Sequence, residues 1–208
     1  MITVRVMMMM LVLGGLFLLS YLVGSIPSGY IVCKLFFKID ITAHGSRNIG
    51  ATNVARVLGN TNFFFFILFF DSCKAFLTLL AADYVLHAQG VMMTQDYLVI
   101  CAAALLLGNA YSVFLGFKGG KGVATSLGAL LYLVPLYLVL LFACAWVVLF
   151  MLTRHAFIAS LSSIFMLTLY YGILVNIDLM FYFFVALCVW LVWRHKNNVY
   201  EFFNGSHR

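Results

Sequence analysis

Charge is the scarcest property of this sequence, because only 9% of its 208 residues are charged and Glu201 is its single glutamate. Ordinary soluble chains are roughly a quarter charged. Hydrophobic residues make up 65% of the chain, more than a globule of this size can bury. This composition excludes a water-soluble globule and predicts a polytopic membrane protein. With so few charges, each ionisable residue at the membrane is a candidate for function.

Clustered metal ligands are missing as well. The five cysteines are spread singly, without a C-x-x-C pair or the Cys/His spacing of a zinc site. The histidines show no metal-ligand spacing either. We therefore expect no metal, no cofactor and no nucleic-acid partner.

Long apolar stretches predict transmembrane helices, because a spanning helix needs about twenty apolar residues. The clearest predicted spans are Val6–Ile31, Phe63–Ala82, Tyr97–Phe117, Phe157–Val175 and Leu179–Trp193.

The apolar stretch between Ser126 and Thr153 decides the predicted topology. Basic residues mark the cytoplasmic side of a membrane protein, and here they concentrate at 34–56, 118–121 and 194–196. One crossing by this stretch would place the last basic cluster outside, whereas two crossings that turn near Pro135 place it in the cytoplasm. We predict an all-α polytopic membrane protein with about seven transmembrane helices, the N-terminus outside and the C-terminus cytoplasmic. It is a single membrane domain over 1–208, with cytoplasmic motif segments near 38–60, 115–126, 154–163 and 194–208.

A first polar segment runs from Asp40 to Arg56. Its glycines and small polar side chains predict a tight turn into a helix, where backbone N–H groups can accept an anion. Simple helix capping by Ser46 or Asn48 is the alternative.

A second polar segment packs Gly119, Gly120 and Gly122 around Lys118 and Lys121. Glycines let the backbone approach phosphate oxygens, and a lysine adds a compact positive charge. The spacing differs from a Walker A loop, which argues against nucleotide hydrolysis. The alternative is a flexible turn whose lysines only orient the helices.

The remaining polar candidates lie on or beside predicted spans. His195 and Asn198 are three residues apart and would share a face of a continued helix, where a histidine can act as a general base. Asp71 and Lys74 have the spacing of an ion pair inside a span, and we expect a structural role in preference to substrate contact. Ser160 lines either a helix interface or a cytoplasmic site.

These segments, in this order and separated by hydrophobic spans, resemble the bacterial acyl-phosphate:glycerol-3-phosphate acyltransferase family. The likeness covers nearly the whole chain, from about Gly24 to Gly205. Its most specific parts are Ser46–Asn53 with Arg56, Phe117–Thr125, and His195 with Asn198, accompanied by the Asp71/Lys74 pair and Ser160–Ile164.

The resemblance implies transfer of a fatty acyl group from acyl phosphate to the 1-hydroxyl of sn-glycerol 3-phosphate, giving lysophosphatidate and phosphate in the first step of phospholipid synthesis. It also implies a multi-pass protein of the bacterial cytoplasmic (inner) membrane with its active site on the cytoplasmic side, next to membrane lipid. The implied catalytic residues are Ser46, Arg56, His195 and Asn198. The implied substrate-binding residues are Asn48, Thr52, Asn53, Lys118, Gly119, Gly120, Lys121, Gly122 and Ser160.

The chain departs from the family pattern at several positions. Asn109 and Ser112 stand where the family usually has a histidine and a proline-containing turn before the glycine–lysine segment. Glu201 lies where a basic residue is usual, His207 where an acid is usual, and Arg47 replaces a small residue. These departures leave a divergent member with altered or lost activity as an alternative, and an anion or phosphate-ester transporter as another.

Overall fold

The structure is a computed structural model that describes residues 2–204, and all of its regular elements are helices. Gly205 and His207 of the resemblance lie outside the described residues. Two short 3-10 helices, Ile41–Ala43 and Val113–Leu115, lie in connections. The α-helices are α1 (Ile2–Ser25), α2 (Ser28–Phe37), α3 (Ala51–Leu58), α4 (Asn62–Ala88), α5 (Gln95–Ala110), α6 (Val123–Leu133), α7 (Leu136–Thr153), α8 (Ala156–Leu174), α9 (Leu179–Arg194) and α10 (Lys196–Phe203).

Several helices are long and apolar enough to cross a membrane. Four satisfy this requirement alone, namely Val6–Ser25 of α1 together with α4, α7 and α8. Helices α9 and α10, which meet at a bend of 55°, satisfy it as a pair. Helices α2, α5 and α6 are apolar but shorter. The predicted all-α membrane fold is thereby confirmed.

The chain divides into two compact units, Met1–Leu133 and Val134–Arg208. The first contains α1 to α6 and the second contains α7 to α10. The boundary falls at the predicted break, because α6 ends at Leu133 and α7 begins directly after Pro135. Proline lacks the backbone N–H that would continue the preceding helix.

In the first unit, glycines bring α1 and α5 into close backbone contact. A side chain at Gly24 would collide with the backbone of Leu105, and one at Gly108 would collide with the carbonyl of Tyr21. Small residues at such positions let membrane helices approach closely, which gains van der Waals contact where burial from water contributes little. Helix α4 packs against α1, α3, α5 and α6 and so lies at the centre of this unit.

The structure corrects the predicted span Val6–Ile31. Helix α1 stops at Ser25, Pro27 interrupts the chain, and α2 begins at Ser28. We refer to residues 25–29 as the junction. The break was not predicted because the residues on both sides of the proline are apolar, so hydropathy runs through it.

Two charged side chains of α4 form hydrogen bonds with residues of the junction. Lys74 Nζ lies 2.7 Å from Asp71 Oδ1 and donates a hydrogen bond of 2.8 Å to the carbonyl of Ile26. The hydroxyl of Ser28 donates to the same Asp71 oxygen at 2.8 Å. The Ile26 carbonyl also accepts the backbone N–H of Ser28 at 3.2 Å, so the ammonium is its second donor. The ion pair thus joins α4 to both sides of the break.

The predicted span Tyr97–Phe117 is also too long. Helix α5 ends at Ala110, and residues 111–122 form a loop that contains the second 3-10 helix and an isolated bridge between Ser112 and Lys118. This loop precedes α6 and carries the glycine–lysine segment.

In the second unit, α8 packs against both α7 and α9. Aromatic rings fill these contacts, with Tyr171 of α8 edge-on to Phe184 of α9 at 5.1 Å between ring centroids. Gly172 leaves room for the ring of Phe181. The chain bends at His195, so α9 and α10 are not the continuous helix that the spacing of His195 and Asn198 suggested.

We expect Lys74→Met to destabilise the protein by about 3 kcal/mol, because it leaves the buried Asp71 carboxylate and the Ile26 carbonyl without the ammonium. The loss is measured by thermal unfolding of detergent-solubilised protein. Adding Asp71→Asn should restore part of the stability, because it removes the unpaired charge. Lys34→Met, on an exposed lysine of α2, is the control. Equal melting temperatures for the two lysine variants would contradict the role of the pair.

Candidate active site

A first loop, residues 38–50, connects α2 to α3. Asp40 organises its first turn, since Oδ1 accepts hydrogen bonds from Thr42 Oγ1 (2.6 Å) and from the Thr42 backbone N–H (3.0 Å). The hydrogen bond from the Thr42 hydroxyl, and next the one from the Thr42 N–H, lower the pKa of the Asp40 carboxyl. Ionised Asp40 therefore stabilises the folded turn at pH values above the carboxyl pKa of the unfolded chain. This stabilisation is lost as the pH falls through the lowered pKa of the folded state. The turn is therefore intact at neutral pH.

Asn53, in the first turn of α3, holds the loop around Ser46. Its Nδ2 donates to the carbonyls of Asn48 (2.8 Å) and His44 (3.1 Å), and its Oδ1 accepts the backbone N–H of Ser46 at 2.8 Å. The side chain is buried, with the residue 3% exposed. Both amide donors are thus used on the loop backbone, which points to a loop-organising role for Asn53.

Left-handed backbone flanks Ser46 on both sides. Gly45 has φ +57° and Arg47 has φ +56°. A side chain at Gly45 would also collide with Oδ1 of Asn53. A non-glycine residue in this conformation costs on the order of 1 kcal/mol, so Arg47 keeps a strained backbone in an exposed loop. Ser46 itself is exposed.

Helix α3 follows this loop directly. Asn48 Oδ1 accepts the N–H of Gly50 at 2.8 Å just before the helix begins. Thr52 and Arg56 lie one turn apart on α3 and are both exposed. The hydroxyl, the guanidinium and the N-terminal backbone of α3 therefore stand next to the Ser46 loop, an arrangement suited to an anion.

The second loop, residues 111–122, presents the glycines and lysines. The N–H of Gly120 donates to the carbonyl of Asn109 at 2.9 Å. A side chain at Gly119 would collide with the backbone of Asn109 and Ala110. Lys118 is exposed. Lys121 is half-buried and lies just before α6, which begins at Val123.

The two loops rest on one hydrophobic cluster. Ile49 of the first loop and Val54 of α3 are buried in it, and Leu115 of the second loop packs against it. Gly29 of the junction contacts the carbonyl of Ile49 so closely that a side chain there would collide with it. Within the first unit, the structure thus brings the Ser46 loop, the glycine–lysine loop and the junction together.

An apolar groove of about 330 Å³ lies between the junction and the second loop. Its lining residues are Ile26, Pro27, Tyr30, Ile31, Phe114 and Leu115.

In the second unit, His195 lies buried at the bend between α9 and α10, with 4% of the residue exposed. Its Nδ1 lies 2.9 Å from the carbonyl of Leu191. Because a carbonyl only accepts, this contact places a proton on Nδ1. The ring stacks on Phe157, with 6.5 Å between centroids. Asn198 follows on α10 and is half-buried.

Ser160 occupies the second turn of α8 and is buried. Its hydroxyl donates to the carbonyl of Ala156 at 2.8 Å and accepts a hydrogen bond from Trp146 Nε1 at 2.9 Å. The indole of α7 therefore fixes the orientation of this serine.

Comparisons with known proteins identify the family. A family model described as glycerol-3-phosphate acyltransferase matches residues 14–205. The chain belongs to the glycerol-3-phosphate acyltransferase family. Two relatives of that name are 39% identical over 194 residues (Staphylococcus saprophyticus; 91% of this chain, 93% of the relative) and 36% identical over 180 residues (Pelagibacter ubique; 86% and 88%). The predicted family is confirmed, and the chain is an acyltransferase.

Solved structures of the acyltransferase family agree with this assignment. PlsY, an integral membrane glycerol 3-phosphate acyltransferase crystallised in a glycerol 3-phosphate form, matches with a TM-score of 0.83 and 29% identity over 94% of each chain. Its lysophosphatidic acid form matches with a TM-score of 0.80 and 28% identity over 94% of each chain.

Sequence reasoning missed three side chains around these acyltransferase motifs: Ser28, Ser112 and Trp146. Ser28 follows Pro27, and a proline inside an apolar stretch could have indicated a break that needs a polar partner. Ser112 is a polar residue inside the predicted span Tyr97–Phe117. Trp146 gives no comparable signal, because an indole in an apolar helix is common.

We expect Asn53→Asp to destabilise this acyltransferase by about 2 kcal/mol, because the carboxylate keeps the acceptor for Ser46 but faces the His44 and Asn48 carbonyls without donors. Thermal unfolding in detergent measures the effect. Asn60→Asp is the matched control, since only Oδ1 of Asn60 is used, as acceptor for the Asn62 N–H at 2.9 Å. A melting temperature for Asn53→Asp equal to that of the control would refute the loop-organising role.

Proposed function

We propose that this acyltransferase moves a fatty acyl group from acyl phosphate to the 1-hydroxyl of sn-glycerol 3-phosphate, giving lysophosphatidate and phosphate. The observation that carries the proposal is the glycine–lysine loop, in which Gly119 and Gly120 dock on the end of α5 and Lys121 precedes α6. Such a loop suits a phosphate ester, because glycines let phosphate oxygens approach the backbone and lysines add positive charge. The glycerol 3-phosphate and lysophosphatidic acid forms of PlsY support the same acceptor and product.

We assign glycerol 3-phosphate to the glycine–lysine loop, with Lys118 and Lys121 supplying charge. The Ser46 loop and the start of α3 receive the phosphate of the acyl donor. There Ser46, Asn48 and Thr52 offer hydrogen bonds, and Arg56 offsets the charge that develops on the leaving phosphate.

The chemistry is direct transfer. The glycerol hydroxyl oxygen attacks the acyl carbon, the bond between that carbon and the phosphate oxygen breaks, and inorganic phosphate leaves. Acyl phosphate is already activated, so orientation supplies much of the catalysis. We assign His195 the role of general base, which a histidine can perform near neutral pH. Asn198 and Ser160 complete the polar groups that we assign to the reaction.

We place the acyl chain of the donor in the apolar groove beside the junction. The groove volume of about 330 Å³ is within the usual range of small-molecule sites. Phe114 and Leu115 of its wall are in the same loop as Lys118, so an apolar tail and a phosphate would be held by neighbouring parts of one loop.

The helices support a topology with seven crossings, formed by α1 and α4 to α9, with the N-terminus outside and the C-terminus in the cytoplasm. In this topology both loops of the first unit and the α9–α10 bend face the cytoplasm. We place the protein in the bacterial cytoplasmic membrane as a single membrane domain, with the motif segments 38–60, 115–126, 154–163 and 194–208 on that face.

A reporter fused directly after Pro135 tests this topology. Seven crossings place that position outside, because α6 then crosses the membrane in its 11 residues. A fusion in the first loop, after Gly45, is the cytoplasmic control. Cytoplasmic activity of the Pro135 fusion would disprove the seven-crossing topology.

Kinetics of purified protein test the reaction. Acyl phosphate and labelled glycerol 3-phosphate should give lysophosphatidate, with acyl-CoA and acyl carrier protein as parallel donors. Lys121→Ala should raise KM for glycerol 3-phosphate about tenfold or more, because a charge-assisted contact to phosphate is lost. Arg56→Ala should abolish turnover, and Lys34→Ala should leave both constants unchanged. Absence of lysophosphatidate with every donor would defeat the proposed function.

A further inference from the structure

Ser112 closes the turn that begins the second loop. Its backbone N–H donates to the carbonyl of Lys118 at 3.2 Å. Its carbonyl accepts the N–H groups of Leu115 (3.1 Å) and Phe117 (2.8 Å). Three backbone hydrogen bonds thus converge on one fully buried residue and fold residues 112–118 into a compact turn. The turn fixes where Lys118 stands relative to the end of α5.

The side chain of Ser112 ties this turn to α1. Its hydroxyl donates to the carbonyl of Ser25, the last residue of α1, at 2.5 Å. That carbonyl is one of the acceptors that the end of a helix leaves without an intrahelical partner. Tyr21 adds a second tie, because its hydroxyl donates to the carbonyl of Tyr111 at 2.7 Å. The start of the second loop is therefore anchored twice to α1.

The far end of the loop is anchored to α5. The Gly120 N–H donates to the Asn109 carbonyl, and the side-chain amide of Asn109 packs against Gly120. Between this anchor at Gly120 and the Ser112 turn, which ends at Lys118, lies one residue, Gly119. The position of Gly119–Gly122 is thus set by α5 at one end and, through Ser112, by α1 at the other.

We propose that Ser112 is a positioning residue for the glycine–lysine loop. This inference rests on the proposed function, in which that loop binds the phosphate of the acceptor. Ser112 is buried and acts through Lys118 and the glycines, not through contact with the substrate. Loss of its hydrogen bonds leaves the loop free to move away from the geometry that a phosphate ester requires, so acceptor binding weakens before the rate at saturation falls.

Ser112→Ala separates the side chain of Ser112 from its backbone, because it removes the hydroxyl bond to Ser25 and leaves the backbone N–H bond to Lys118 in place. Tyr21→Phe is a milder variant that removes only the second tie. Thr168→Val is the matched control, because it deletes a buried hydroxyl that bonds the Ile164 carbonyl of its own helix.

We expect Ser112→Ala to raise KM for glycerol 3-phosphate about fivefold, with kcat within about twofold of wild type. Tyr21→Phe should change KM in the same direction by a smaller factor. Hydrogen–deuterium exchange of residues 111–122, measured without substrates, should be faster in each of these variants than in wild type or Thr168→Val.

Unchanged exchange and KM in Ser112→Ala would overturn the inference. Faster exchange without a selective rise in KM would also overturn it. So would a fall in kcat that follows a lower melting temperature at constant KM. Each requires an active wild type and leaves the proposed function standing. Wild-type protein that makes no lysophosphatidate would defeat the proposed function and this inference with it.

Discussion

The ammonium of Lys74 at the Ile26 carbonyl is the contact on which the first unit depends. Pro27 separates α1 from α2, and the Ile26 carbonyl before it accepts the backbone N–H of Ser28 and the ammonium of Lys74. Asp71 balances the charge of the ammonium, and Ser28 holds Asp71 from the other side of the break. The scarce charge of this sequence is thus used here to fasten the break between two helices to α4. Helix α2, which leads to the first loop, begins at this break.

Both loops of the candidate site are held mainly by neutral groups. Asn53 arranges the first loop with one amide, and Ser112 arranges the second with a hydroxyl and a backbone N–H. Because these anchors carry no charge, they do not compete with phosphate for Arg56 and Lys121 in the proposed reaction. An acid in either place would compete with the substrate for those cations, and Asp40, the acid of the first loop, is bonded to Thr42.

The polar motif segments predicted the family. Hydropathy and charge predicted the helical membrane fold and the break at Pro135, because basic clusters fix which crossings are allowed. They did not predict the break at Pro27 or the end of α5 at Ala110, since apolar residues continue past both. The polar segments indicated where the site would form, but residue type alone does not show which way a side chain points. Substrate binding by Asn53 stays a prediction, and the structure adds that its two amide donors face the carbonyls of His44 and Asn48. This direction depends on how the backbone of the first loop folds back toward α3, which residue type does not encode.

The order of synthesis gives the junction a further consequence. Ile26 leaves the ribosome 48 residues before Lys74. Until α4 has entered the bilayer, the broken end of α1 has no ammonium to bind, and Ser28 has no carboxylate. The contacts that fasten the junction therefore form only after synthesis has reached α4, so the junction is completed later than the helix that precedes it.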